Sequence, residues 1–273
     1  METVRQLFPV AREVPLQGLY LSHDLRRTAQ TSDEPYIYAN FIASVDGRIA
    51  IPDPRGKGLI VPEQTANERD WRLFQELAAQ ADLIISSGRY LRDWADGKAQ
   101  EILQVDDPRF SDLRDWRRKQ GLAPQPDIAI LSGSLRFPIP DVLTSGGRKV
   151  VVFTTADPDP ERVAEIEARA GRVFVAGEQS VDGARMAGMI KELGYRLVYS
   201  ATGPKVLHLL LEARVLDRLY MTYASRLLGG TPFATIVDGA LLAPAVDLRI
   251  EQISLDPAAP DGLGQMFVVY DCA

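Results

Sequence analysis

Cysteine and histidine are the scarcest chemically active residues in this chain of 273 residues. The single cysteine, Cys272, excludes an internal disulfide and any zinc site built from several cysteines. The two histidines, His23 and His208, are too few for a three-histidine metal site. A zinc deaminase is also excluded, because its chemistry needs a histidine–glutamate pair and a Cys-x-x-Cys pair. The sequence therefore predicts no metal site.

Long apolar runs and net positive charge are lacking as well. No stretch approaches the roughly 18 apolar residues of a membrane span, and residues 1–14 hold no apolar run of signal-peptide length. The 31 basic and 37 acidic residues give a net charge of −6, which disfavours general attraction to nucleic acid or to an anionic membrane. We expect a soluble cytoplasmic protein that binds neither.

Lysine is rare among the basic residues, because six lysines leave 25 arginines in the total of 31. One interpretation is the base composition of the genome. The other is phosphate recognition, for which a planar guanidinium is better suited than an ammonium group. Composition alone favours the first interpretation.

Strand patterns alternate with amphipathic helix patterns from about residue 36 to residue 222. A buried strand is predicted at Tyr36–Val45, and Asp46-Gly47 is typical of the turn that follows it. The alternation indicates an α/β fold with a mostly parallel central sheet and helices on both faces. Two final strands, Val246–Ile253 and Gln265–Tyr270, have no helix between them and are expected to be antiparallel. Further helices are predicted near residues 62–80, 98–104, 111–120, 160–170, 182–193 and 204–214, and further strands near 82–86, 128–131, 149–153, 173–175, 195–199 and 216–222.

The chain contains no linker long enough to divide it. Residues 1–34 are polar-rich, and we predict an N-terminal extension with one short helix near Leu16–Leu25. Residues 35–273 are predicted to form one domain. Within it, the glycines and prolines of residues 52–58 indicate a loop.

The segment Ser200–Lys205 is the strongest candidate for a binding site. It follows a predicted strand and opens a helix, with Pro204 at the first helical position and Thr202 or Gly203 as the cap. A helix start offers free amides and a positive dipole end, which together bind phosphate, and Lys205 adds a charge there. The alternative is an ordinary helix start that binds nothing.

Three further turns follow predicted strands. They are Ser86–Arg89 with Arg92 beyond it, the pair Thr154-Thr155, and Leu228–Gly230. Hydroxyl groups and glycines at the carboxyl ends of strands lie where open α/β sheets bind ligands. Each turn also has an ordinary structural interpretation, but the set favours a nucleotide-shaped ligand. Asp46 could be a carboxylate in a pocket or simply part of a hairpin turn.

The strand and turn Asn40–Arg48 are similar to the start of the reductase domain of the bifunctional riboflavin-biosynthesis deaminase–reductases and the related single-domain pyrimidine reductases. Other segments resemble the family in the same order along residues 35–271: Asp70–Phe74, Ala81–Ile85, Leu131–Arg136, Leu209–Asp217 and Leu227–Gly230. The resemblance implies the dihydrofolate-reductase-like fold, with antiparallel C-terminal strands. It also implies a homodimer, in which Met266–Tyr270 is either an interface element or a core strand.

The same resemblance implies hydride transfer from NADPH to the ribose carbon of a 5-amino-6-(5-phosphoribosylamino)uracil-like pyrimidine. Asp46 would then be the catalytic residue, and residues 52–58 a lid. The substrate would face Asn40, Ser44, Asp46 and Arg72. The cofactor would be held by Ser87, Gly88, Arg89, Thr154, Thr155, Thr202, Gly203, Pro204, Lys205, Val206 and Gly229.

Two turns depart from the family pattern. The usual Gly-Ala-Gly-Thr-Val-Arg is replaced by Ser86–Arg92, and the usual Glu-Gly-Gly-Pro by Ala201–Pro204. Two alternatives therefore stand beside the riboflavin-type reductase. One is an NADPH reductase of another small heterocycle, and the other is a catalytically silent protein that binds a nucleotide. The arginines favour NADPH over NADH, because a 2′-phosphate pairs well with a guanidinium.

Overall fold

The computed structural model describes residues 2–54, 56, 58–144, 147–259 and 261–273. The strands in these ranges are β1 (Thr3–Phe8), β2 (Arg12–Pro15), β3 (Tyr36–Ser44), β4 (Ile51–Pro52), β5 (Leu59–Ile60), β6 (Leu83–Ser87), β7 (Asp127–Leu131), β8 (Val150–Thr154), β9 (Val173–Val175), β10 (Leu197–Ser200), β11 (Arg218–Ala224), β12 (Leu248–Asp256) and β13 (Gln265–Cys272). The α-helices are α1 (Leu25–Ala29), α2 (Glu68–Gln80), α3 (Gly88–Ala95), α4 (Ser111–Lys119), α5 (Pro160–Arg169), α6 (Gly183–Glu192) and α7 (Pro204–Glu212). Short 3₁₀ helices lie at Leu21–His23, Pro108–Phe110 and Asp141–Leu143.

A central sheet joins eleven of these strands in the order β2-β1-β12-β13-β11-β3-β10-β6-β7-β8-β9. The strands from β11 to β9 in that order are all parallel to their neighbours. The pairings from β2 to β11 are all antiparallel. The predicted fold class, a mostly parallel sheet with antiparallel C-terminal strands, is confirmed.

Hydrophobic residues cover both faces of the sheet, as alternation along β3 shows. Tyr38 packs into the cluster on the α2 side, whereas Ile37 packs into the cluster formed with α6 and α7. β13 lies inside the sheet, and Phe267 and Val269 are buried there. Of the two interpretations of this segment, the core strand is the one observed.

The predicted helix at residues 98–104 is wrong, and the helix of this region is α3. Ser87 caps α3 by accepting a hydrogen bond from the amide of Tyr90, and Leu91 is buried beneath it. Residues 98–104 run as an irregular segment whose backbone is bonded by the side chain of Gln75. This amide donates to the Ile102 carbonyl (2.8 Å) and accepts from the Gln104 amide (2.7 Å). A side chain distant in sequence thus replaces the hydrogen bonds of a helix.

The N-terminal residues form strands that the sequence did not indicate. β1 pairs with β12 and buries Val4 and Gln6, so residues 3–15 extend the sheet. The predicted helix near residues 16–25 is replaced by the 3₁₀ turn and α1. The helix predicted from residue 62 begins at Glu68, because Asn67 caps its first amides. Of the expected lid at residues 52–58, Pro52 ends β4, and the chain returns in β5, which pairs with β4. Arg55 and Lys57 of this segment lie outside the described residues.

Candidate functional site

The carboxyl ends of the parallel strands meet at one edge of the sheet. The strands β3, β6, β8, β10 and β11 end there, and each is followed by one of the turns that the sequence singled out. This is the edge at which open α/β sheets bind ligands. The structure therefore brings most of the predicted site residues to one side of the molecule.

A groove with a volume of about 1020 Å³ opens at this edge. Thr155, Lys205 and Val206, all predicted as cofactor residues, line it. The end of β7 and the two residues after it contribute Leu131–Gly133, and the segment Gly177–Arg185 forms another wall. These last two segments were missed by the sequence prediction of site residues. The signal that could have found them is their position directly after the strands β7 and β9.

The start of α7 provides anion-binding geometry beside this groove. Gly203 occupies the cap position, and within the described residues no side chain caps the helix. Pro204 is the first helical residue, as predicted. The hydroxyls of Ser200 and Thr202 bond to each other at 2.7 Å, so Thr202 is held at the strand end. Uncapped amides, the helix dipole and the Lys205 ammonium group together favour a phosphate.

The turn Ser87-Gly88-Arg89, which was predicted to hold the cofactor, packs closely against the segment after β7. A Cβ atom on Gly88 would lie 3.1 Å from the hydroxyl of Ser132 and 3.1 Å from the ring of Phe137. Glycine is therefore needed for the close packing of α3 against the segment after β7. Arg89 is exposed, and it donates to the Leu59 carbonyl at 3.3 Å.

The two predicted threonines point to opposite faces of the sheet edge. Thr155 lines the groove, whereas Thr154 is fully buried on the α2 side of β8. The Thr154 hydroxyl finds no hydrogen-bond partner among the residues described. His208, one helical turn beyond the start of α7, is a packed histidine whose Nε2 contacts the Ala240 carbonyl at 2.8 Å.

Asp46 links the end of β3 to the glycine loop after β11. Its carboxylate accepts hydrogen bonds from the Ser44 hydroxyl (2.5 Å), the Arg48 guanidinium (2.8 Å) and the amides of Leu228 (3.2 Å) and Gly229 (2.8 Å). These bonds, that of Ser44 first, lower the pKa of Asp46 to about 2. The carboxylate is therefore ionised at neutral pH and cannot supply a proton. The geometry favours a positioning role for it.

A second polar cluster lies on the α2 side of the same edge. The Tyr199 hydroxyl donates to Asn40 Oδ1, and the Thr222 hydroxyl donates to Asp70 Oδ1 at 2.5 Å. Burial raises the pKa of Asp70 from its ordinary value of 3.8 to about 6, against the opposing effect of the Thr222 bond. A carboxyl group that is half protonated near pH 6 can both accept and donate a proton.

The sequence prediction of site residues did not include Asp70, but it did include Arg72 as a residue that faces the substrate. Arg72 binds Asp112 with both terminal nitrogens (2.9 and 2.6 Å) and Glu76 with its Nε (2.9 Å). These contacts hold Arg72 between α2 and α4. On the helix, Asp70 and Arg72 are two residues apart and therefore point in different directions.

The polar cluster and the groove meet at the end of β10. Ser200 pairs with Ala39, so the turn at Ala201 lies beside Asn40, and Ala201 packs against the core on the α2 side. One continuous edge thus offers an anion-binding helix start, a groove and a carboxyl group with a raised pKa. Within the described residues, no group of three His, Cys, Asp or Glu residues could hold a metal ion.

Comparison with known proteins identifies the family. The model of the RibD C-terminal domain matches residues 35–259. The chain belongs to this family. It is also 26% identical over 211 residues to the 2,5-diamino-6-ribosylamino-4(3H)-pyrimidinone 5′-phosphate reductase of Archaeoglobus fulgidus, covering 75% of this chain and 87% of that protein.

Solved structures of similar proteins share the fold. A pyrimidine reductase-like protein from Corynebacterium diphtheriae superposes with a TM-score of 0.68 at 19% identity, over 95% of this chain and 99% of that one. The riboflavin biosynthesis reductase of Saccharomyces cerevisiae gives a TM-score of 0.56 at 14% identity, over 92% of this chain and 100% of that one. The chain thus shares the fold of these reductases. In the part of the chain that is described, no helix is long and apolar enough to cross a membrane.

Proposed function

We propose that the protein is an NADPH-dependent reductase that acts on a phosphoribosylaminopyrimidine of the 5-amino-6-(5-phosphoribosylamino)uracil type. The observation that carries this proposal is the family match over residues 35–259, the residues that build the groove and the adjoining polar cluster. The relative from Archaeoglobus fulgidus is named as a reductase of a closely related ribosylaminopyrimidine phosphate.

The residues of the groove fit a dinucleotide. The uncapped start of α7 and Lys205 suit a pyrophosphate, while Ser132 and Thr155 offer hydroxyl groups along the wall. A reduced nicotinamide supplies the hydride when it is bound. The protein's part is to hold donor and acceptor in register, which converts their encounter into an intramolecular step.

The reaction also needs a proton from the protein side. When the hydride adds to the ribose carbon that carries the amine, the bond from this carbon to the ring oxygen breaks, and that oxygen takes up a proton. Asp70, with its raised pKa, is the group on the α2 side of the edge that can hold this proton. Asn40 and Tyr199 form the adjacent hydrogen-bonded pair and would orient the pyrimidine. Asp46 would keep the glycine loop in place.

The test is an assay of NADPH oxidation with the phosphoribosylaminopyrimidine, in which the ribityl product is identified by mass spectrometry. We expect turnover by the wild-type protein and NADPH affinity well above NADH affinity. Turnover of a different heterocycle in a substrate panel would instead support the alternative reductase, which the replacement of the family's glutamate by Ala201 favours. Tight NADPH binding without turnover of any pyrimidine would support a catalytically silent nucleotide-binding protein.

We further propose a cytoplasmic homodimer, following the expectation from the family. Leu248 and Ile250 on β12 are 42% and 43% exposed, and an exposed apolar pair on one strand suits an interface. Light scattering of the purified protein tests this proposal, and a monomer at micromolar concentration contradicts it.

A further inference from the structure

A second groove lies on the α3 and α5 side of the segment after β7. Its volume is about 540 Å³. The same segment separates the two grooves, because Leu131–Gly133 line the first and Arg136–Pro138 line the second. Four arginines line the second groove together with one carboxylate, namely Arg92, Arg136, Arg162, Arg169 and Glu165.

The charge of this groove is opposite in sign to the net charge of the chain. The net charge of the protein is −6, yet the groove holds four guanidinium groups and one carboxylate. Asp141 adds a second negative charge on Arg169, at 3.2 Å. The local balance therefore remains positive by two charges, and it attracts anions to this face.

Three of the arginines are fixed by the backbone of residues 135–139. Arg92 donates to the Arg136 carbonyl (3.0 Å), and Arg169 to the Ile139 carbonyl (3.2 Å). Arg162 donates to the carbonyls of Leu135 (3.0 Å) and Phe137 (3.2 Å), and it also pairs with Glu165. The Nε–H of Arg162 is buried and has no hydrogen-bond partner in the described part of the chain. These contacts position the guanidinium groups before any ligand arrives.

The fourth arginine, Arg136, does not hold the backbone in this way. Arg136 is exposed, and its guanidinium group makes no hydrogen bond or ion pair with any residue that the structure describes. Hydrogen bonding to the backbone of residues 135–139 therefore accounts for three of the four arginines, but it does not account for Arg136. Like charges held close together repel each other, and a bound anion relieves that repulsion.

We propose that this arginine groove binds a phosphomonoester dianion. Such a group carries nearly two negative charges and three acceptor oxygens, which match guanidinium forks. Its source is either the 2′-phosphate of the dinucleotide in the first groove or the phosphate of a separate metabolite. The first source rests on the proposed function, whereas phosphate binding itself does not.

Calorimetric titration with inorganic phosphate tests the proposal. We expect saturable binding to the wild-type protein and a loss of about tenfold in affinity in Arg136→Gln, because each guanidinium bond to a charged group contributes at about this level. The matched control is Arg118→Gln on α4, which removes the same charge from an exposed surface pair with Asp115. No saturable binding to the wild-type protein, or an equal loss in both variants, overturns the proposal. The Arg136 side chain is exposed and unpaired, so the thermal unfolding temperature should not fall.

Two nucleotides then distinguish the sources. If adenosine 2′-monophosphate binds more tightly than phosphate and Arg136→Gln removes that advantage, the ligand is the cofactor's 2′-phosphate. If phosphate and NADPH bind at the same time, the ligand is a separate metabolite. Either result supports the groove as a phosphate site. Absence of NADPH turnover with phosphate binding retained would contradict the proposed function alone.

Discussion

Asp70→Asn should make the protein more stable at neutral pH while it removes most of the reductase activity. Burial raises the pKa of Asp70 from 3.8 to about 6, and this difference corresponds to about 3 kcal/mol between the two protonation states. In the folded state the ionised form is disfavoured. The protein therefore loses stability as pH rises from about 4 to about 6, and the full cost is present above pH 6.

Asparagine removes the ionisation but retains an oxygen that can accept the hydrogen bond from Thr222. We expect the variant to be more stable than the wild-type protein at pH 8, by up to about 3 kcal/mol, and equally stable near pH 4. Asp217 has a pKa raised to about 6 by its own burial, so it contributes to the pH dependence of both proteins. Only the difference between the two urea denaturation curves isolates Asp70.

Activity gives the second measurement. If Asp70 supplies the proton, kcat should fall above about pH 6 in the wild-type protein. The variant should lose at least about a hundredfold in kcat below about pH 6, and this loss should shrink as the pH rises. A variant that is less stable than the wild-type protein at pH 8 would refute the burial argument. A variant with full activity would refute the catalytic one, and the two outcomes are independent.

Three other substitutions test the remaining contacts. Asp46→Asn removes the negative charge of the side chain that accepts hydrogen bonds from the Leu228 and Gly229 amides, so we expect faster hydrogen exchange at these amides. Unchanged exchange would contradict the role of Asp46 in holding the glycine loop. Gly88→Ala should lower the free energy of unfolding by about 1–3 kcal/mol, because the added methyl group would press on the segment after β7. The control Gly188→Ala places its methyl group in open space within α6 and should not destabilise the protein. Equal urea midpoints of the two variants would contradict the packing argument. Glu76→Ala should cost about 3–5 kcal/mol, because it removes a buried carboxylate that pairs with Arg72 (2.9 Å) and accepts the amides of Gly18 (2.6 Å) and Tyr20 (3.0 Å). Limited proteolysis should then cut within residues 1–34 first, and an unchanged cleavage pattern would contradict this.

The parallel half of the sheet was predictable from the sequence because its strands are buried on both faces. Segments such as Leu83–Ser87 and Val150–Thr154 are nearly continuous apolar runs. β1 was not predictable in this way, because only Val4 and Gln6 of its six residues are buried and one of these is polar. α3 was missed because four of its eight residues are charged or glycine, so its short apolar stripe is weak against the surrounding charge.

The candidate site was predictable only where its residues follow strands directly. Lys205 and Thr155 were predicted as cofactor residues because a strand pattern followed by a turn is local in sequence, and both line the groove. The pair of Asp70 and Thr222 is separated by 152 positions and has no local pattern. Asp70 also lies in the first turn of α2, where an acidic residue is expected for the helix dipole alone. The sequence therefore offered an ordinary reason for this carboxylate and no reason to look further.

Two carboxylates at one edge of the sheet illustrate how surroundings assign roles. Asp46 receives four hydrogen bonds, two of them from backbone amides, and its pKa falls to about 2. Asp70 receives one from Thr222, lies against the aromatic core beside Tyr199, and its pKa rises to about 6. A group that is always ionised can hold a loop but cannot exchange a proton near neutral pH. A group that titrates near pH 6 can exchange one, and pairs of acids with separated pKa values are how enzymes divide positioning from proton transfer. The Asp-Gly motif draws attention to Asp46, whereas the raised pKa of Asp70 supports the proposal that Asp70 holds the proton.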